Sequence, residues 1–199
     1  MILTKLKQNT QPRQELLERD LNLLTCCKTS ADYWQLIARV YGFYEPLETN
    51  LSALLDWRTV PFDFQQPRKT PLLVRDLQAL GLSEAERAAL PRCHDLPALT
   101  GFGSALGCLY VLEGATLGGQ IIARHFNTAF QLTPENGLAF YHGYGPETGP
   151  RWKEFGAFDW NIKTGEIRWT KETEEAAAMT AEVFESSFGF PCLPHIDHC

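Results

Sequence analysis

Apolar positions recur at intervals of three and four along most of the chain, the spacing of helices that bury one face. Leu3, Leu6, Thr10, Gln14, Leu17, Leu21 and Leu24 make one such stripe and predict a helix over about residues 3–25, with Pro12 as a kink or a later start. Tyr33, Leu36, Ile37, Val40 and Tyr44 make the next, with Ser30 as its expected N-cap and an end near residues 42–45, ahead of Pro46. Residues 56–70 hold two prolines and no steady period, so a loop is expected there. "PLLVRDLQALG" predicts a helix with Pro71 in its first turn and Gly81 at its C-terminal cap. "SEAERAALP" predicts another, with Ser83 and Glu86 at capping-box spacing.

A long helical region follows from Pro97 to about Phe130, with a break expected at Gly101 and Gly103. "TPENGLAFYHGYG" reads as a short helix and a turn, and "PETGPRWKEFGAFDWNI" as a helix with Trp152, Phe155 and Phe158 on its apolar side. The last helix is "TKETEEAAAMTAEVFESSFGF", with Thr170 as N-cap and Glu172, Glu174 and Glu175 near its positive end. No long alternating strand pattern and no internal repeat occurs, so the expected fold class is all-α. The expected organisation is one multi-helical domain over residues 1–190, followed by a flexible tail over 191–199.

At 199 residues and 44% hydrophobic, the chain has enough apolar side chains for one substantial core. A formal charge of -6 without a Lys/Arg cluster argues against a nucleic-acid partner. "MILTKLKQNTQPRQELLERD" has neither the apolar centre of a signal peptide nor a run long enough to span a bilayer, so a cytoplasmic protein with no membrane partner is expected. The six cysteines lack the spacing of a disulfide scaffold and are expected to be mostly reduced. No P-loop, dinucleotide-binding glycine fingerprint, Gly-x-Ser-x-Gly elbow or Glu-x-x-His pair occurs.

The stretch that asks for an explanation is "GCLYVLEGATLGGQIIARHF", residues 107–126. Gly114, Gly118 and Gly119 in a helix interior cost roughly 3 kcal/mol relative to alanine. On a helical wheel Gly107, Val111, Gly114 and Gly118 share a side, with Gly119 just beside it. Such a side admits a wide flat ligand or a closely packed second helix, and the same glycines could instead mark a local kink.

"LYVLEGATLGGQ" resembles the distal-helix signature of the heme oxygenase family, most closely the bacterial branch associated with phytochromes. The initial "LKQNT" helix and "YGPETGPRWKEF" extend the resemblance over most of the chain. It implies heme held between two helices, with iron ligated by a histidine of the first helix and oxygen bound on the glycine side. It also implies an electron donor, and a reaction that opens the porphyrin to biliverdin with release of carbon monoxide and iron. Tyr110, Gly114, Ala115, Gly118 and Gly119 are then the expected distal pocket; Lys7, Arg13, Arg124, Arg151 and Lys153 are rim candidates for the propionates. A phytochrome-type or other signalling protein is the implied partner.

Two positions depart from the family's pattern. The family places its proximal histidine four residues after the threonine of "L-x-x-x-T", and counting from Thr10 reaches Gln14. A neutral amide is a poor axial ligand for heme iron, so Gln14 removes the expected donor. Ala115 stands where animal members carry an aspartate that organises distal water, a smaller departure because phytochrome-linked members often have a small residue there. The expectation is a heme oxygenase-like protein without ordinary heme ligation or turnover, acting on a ligand or a signalling partner and holding no assured cofactor. The first alternative is an active enzyme with an unusual iron ligand, for which heme is the cofactor. The second is a metal-binding module built on Cys192, His195, His198 and Cys199 of "CLPHIDHC".

Overall fold

A computed structural model describes residues 27–54, 68–162 and 177–180, and over 156–162 the backbone alone. Its regular elements are helices: α1 (Ser30–Leu54), α2 (Thr70–Ala79), α3 (Glu84–Ala89), α4 (Phe102–Phe130), α5 (Ala139–His142) and α6 (Thr148–Ile162). A 3-10 turn at Gly145–Glu147 precedes α6, and residues 177–180 are helical. The all-α expectation therefore holds, with no strand among the described residues. The helix expected over 3–25, most of the loop at 56–70, most of the last helix and the tail 191–199 lie outside the described residues.

α1 starts one residue from where the pattern put its cap. Thr29 Oγ1 accepts from the Asp32 N–H at 3.1 Å, while the Asp32 carboxylate accepts from the N–H groups of Thr29 at 2.8 Å and Lys28 at 2.9 Å. Thr29 thus takes the capping role assigned to Ser30, because Asp32 sits three residues after it and completes a reciprocal pair.

α1 also runs straight through Pro46 rather than stopping before it. Proline removes the N–H that would bond the carbonyl four residues back, here Gly42. That carbonyl accepts from the Cys93 N–H at 2.9 Å instead. The approach depends on glycine, since a Cβ on Gly42 would lie 2.5 Å from the Pro91 carbonyl oxygen. The segment after α3 therefore straps across α1 at the turn that Pro46 leaves unpaired.

α2 and α3 follow the sequence pattern closely. Gly81, at φ +98°, ends the α2 region in a left-handed conformation that suits glycine, and Ser83 with Glu86 forms the capping box that opens α3. The helical region expected from Pro97 starts at Phe102: residues 97–101 are not helical, Gly101 marks the boundary, and Gly103 lies inside the helix rather than at a break. The buried Ser104 hydroxyl accepts from the Thr100 and Gly101 N–H groups at 2.9 and 3.1 Å, satisfying donors that a helix start leaves open.

The core lies between α1, α2, α4 and α5. Tyr33, Tyr44, Phe43, Phe126, Leu36, Leu47, Leu73 and Leu77 are fully buried in it; each such side chain contributes about 1.5–3 kcal/mol relative to exposure. Tyr33 meets Phe126 edge-on at 4.6 Å and gives its hydroxyl proton to the Gly137 carbonyl at 2.7 Å, so the phenol is buried with its polar atom bonded. α4 is long and apolar enough to cross a membrane by length and composition. Half of its most apolar stretch is nevertheless buried by the rest of the chain, as in a core helix.

Candidate functional site

α4 carries the glycine cluster, and three contacts fix how that cluster is presented. The first is ionic. Lys69 Nζ lies 2.6 Å from Glu113 Oε1 and 2.7 Å from the Tyr144 hydroxyl, which in turn donates to Glu113 Oε2 at 3.1 Å. Lys69 and Glu113 are both buried. Burial lowers the Lys69 ammonium from its ordinary pKa, while Glu113 holds it up. The same residue is gripped by its backbone, since Glu48 on α1 accepts the N–H groups of Lys69 at 2.6 Å and Thr70 at 3.0 Å and so caps α2.

The second contact places α5. Asp76 on α2 is fully buried and accepts the Ala139 N–H at 2.6 Å and the Phe140 N–H at 2.8 Å, the first free donors of that helix. Burial pushes its carboxyl up to about 6, against the two N–H groups that favour the anion.

The third contact sets the rotation of α4. A Cβ on Gly119 would meet the Tyr141 carbonyl oxygen at 3.2 Å, so the α5 backbone closes on this glycine. Gln120 Nε2 donates to the His142 carbonyl at 2.8 Å and to Thr148 Oγ1 at 3.2 Å one residue later. With Gly119 turned inward, its neighbour Gly118 is turned out, because adjacent helical residues point about 100° apart.

The glycines consequently do different jobs. Gly119 is a packing contact. Gly114 faces Trp152 of α6, whose Cη2 and Cζ3 would lie 3.6 and 3.8 Å from a Cβ there. Gly118 has no such neighbour within 4 Å among the described residues. Leu117, 43% exposed, and Ile121, 62% exposed, flank it, so bare backbone and apolar side chains form an open strip along one side of α4. Of the other expected pocket residues, Tyr110 is buried with its ring 5.4 Å from Trp152, and Ala115 is half-buried.

A heme oxygenase family model matches residues 1–186. The chain belongs to the heme oxygenase family. A heme oxygenase of Xanthomonas campestris pv. campestris (strain 8004) is 35% identical over 94 residues, which are 46% of this chain and 51% of that relative.

Family membership makes heme the group against which the heme oxygenase-like site is tested. The Gly118 strip suits the flat face of a porphyrin. Iron ligation is another matter. His94 is exposed in the segment between α3 and α4, and His142 ends α5 with Nε2 only 2.7 Å from where a Cβ on Gly145 would stand. His125 lies seven residues beyond Gly118, roughly 10 Å along the axis, with its ring 5.3 Å from Phe126. Among the described residues no imidazole lies within 4 Å of where a Cβ on Gly118 would stand. Gln14, at the family's ligand position, lies outside the described residues, as do Lys7, Arg13, Cys192, His195, His198 and Cys199. Of the remaining rim candidates, Arg124, Arg151 and Lys153 are exposed, and Arg151 pairs with Glu154 at 3.4 Å. No group of three metal-ligating side chains occurs among the described residues.

The motif was legible from sequence; its supports were not. Glu113 gave one signal, a charge inside an apolar helical run, and Glu48 gave another by falling on the apolar stripe of α1. Their shared partner Lys69 and the hydroxyl of Tyr144 come from distant segments with no pattern of their own.

Proposed function

We propose that this member of the heme oxygenase family binds a flat tetrapyrrole on the Gly118 strip of α4 without ordinary histidine ligation of iron, and so does not perform ordinary heme turnover. The observation that carries this reading is the pairing of a kept side-chain-free strip with an amide, Gln14, at the position where the family resemblance puts the iron's histidine. Imidazole is the usual proximal ligand in heme proteins that handle oxygen, and a neutral amide does not replace it. What the chain's own residues supply is apolar contact from Leu117 and Ile121 and close backbone approach at Gly118. A signalling protein of the phytochrome type, which the resemblance suggests, is the partner this reading calls for.

Turnover tests the reading. Purified protein given hemin and either ascorbate or reduced ferredoxin is expected to yield no biliverdin and no carbon monoxide above a hemin blank. Stoichiometric biliverdin would overturn it in favour of an active enzyme with an unusual iron ligand.

A further inference from the structure

Gly114 and Gly118 are one turn apart on the same side of α4, about 6 Å along its axis. Were both bare, the strip open to a flat ligand would extend over both turns. It does not, because the far edge of the Trp152 indole faces Gly114, 3.6 Å from where a Cβ there would stand, while among the described residues nothing comes within 4 Å of the same point on Gly118. Trp152 packs against two further rings, Tyr110 of α4 at 5.4 Å, tilted, and Phe155 of α6 at 5.9 Å, stacked. An aromatic side chain fixed in this way is a wall with little freedom to yield.

Resting on the tetrapyrrole-binding reading above, we propose that Trp152 is the specificity-determining residue of the site: it covers Gly114 and confines a flat ligand to the Gly118 turn, beside Leu117 and Ile121. The strip is closed on its other flank, where the Tyr141 backbone packs on Gly119, so Trp152 is the boundary that a side-chain substitution removes and the α5 backbone is the one that it does not. Selectivity for ligand width then depends on one side chain. A narrower wall admits a wider conjugated ring system, because a site bounded by apolar groups discriminates by shape and filled volume.

Metal-free protoporphyrin IX is the probe, since its binding needs no axial ligand and reports on the apolar face alone. Fluorescence titration of the full chain is expected to show binding by the wild type and loss of binding in Gly118→Leu, which fills the open turn. Trp152→Ala and Trp152→Leu, by uncovering Gly114, should bind the porphyrin about tenfold more tightly. Trp152→Phe keeps a ring over Gly114 and should titrate as the wild type does. Thermal melts identify any variant that fails to fold, and Trp152→Leu serves if Trp152→Ala does. Wild-type binding with equal or weaker affinity in Trp152→Leu overturns the proposed wall and leaves tetrapyrrole binding standing. Absence of porphyrin binding in the wild type, or unchanged binding in Gly118→Leu, overturns tetrapyrrole binding itself and the wall with it.

Discussion

Lys69 and Glu113, 44 residues apart, meet as a buried ion pair with 2.6 Å between Nζ and Oε1. The pair ties the start of α2 to the middle of α4, immediately before Gly114. Removing one partner leaves the other charge buried and uncompensated, which costs about 3–5 kcal/mol. Lys69→Met is therefore expected to lose stability on that scale in urea denaturation. The double variant Lys69→Met/Glu113→Gln should lose much less than the sum of the two single changes. Additive losses would show that the two groups are not coupled.

Asp76 makes stability depend on pH in an unusual direction. Its carboxyl is lifted from 3.8 to about 6, chiefly by burial, so between those values the folded chain holds a proton that the unfolded chain releases. Stability from this residue is greatest below the unfolded value and falls as pH rises through the folded one. Asp76→Asn keeps one acceptor oxygen in place of the two that the α5 N–H groups use, a cost that does not vary with pH because the amide cannot titrate. Relative to that variant, the wild type should lose roughly 3 kcal/mol of unfolding free energy between about pH 4 and about pH 7. Denaturation curves with the same pH slope in both proteins would refute the assignment.

Two glycines of similar appearance in the sequence should respond oppositely to alanine. Gly42→Ala places a methyl 2.5 Å from the Pro91 carbonyl oxygen, and moving that strap costs roughly 1–3 kcal/mol. Gly118→Ala meets nothing within 4 Å among the described residues, so helix propensity alone should stabilise the chain by about 1 kcal/mol. The same change should weaken porphyrin binding. A destabilised Gly118→Ala protein would mean that the strip is packed rather than open.

These cases also show what the sequence could and could not convey. Local chemistry was readable: Ser83 with Glu86 marked the start of α3, Gly81 marked the end of the α2 region, and the 3.6-residue period marked α1 and α4. Non-local compensation was not. Pro46 signals a helix end until Cys93, 51 residues after Gly42, takes up the freed carbonyl. Gly114, Gly118 and Gly119 read as one surface, and only the placement of Trp152 and Tyr141 divides them into two packing contacts and one open turn. The site's glycines were thus visible in advance, while the rotation that exposes Gly118 depends on Asp76, Gln120 and α5.

Gln14, at the position to which the resemblance assigns the iron ligand, carries its own prediction. Gln14→His restores an imidazole at the position to which the resemblance assigns the axial donor, and it is expected to raise hemin affinity and sharpen the Soret band. No gain over the wild type would mean that more than one side chain separates this protein from heme ligation.

Hemin titration of the unmodified protein, read by its Soret spectrum and by resonance Raman of the iron–histidine stretch, addresses the central claim most directly. Weak, broad Soret changes with no iron–histidine band are predicted for the wild type, with the band appearing in Gln14→His. A stoichiometric wild-type complex carrying that band, whichever histidine supplies it, would contradict the account.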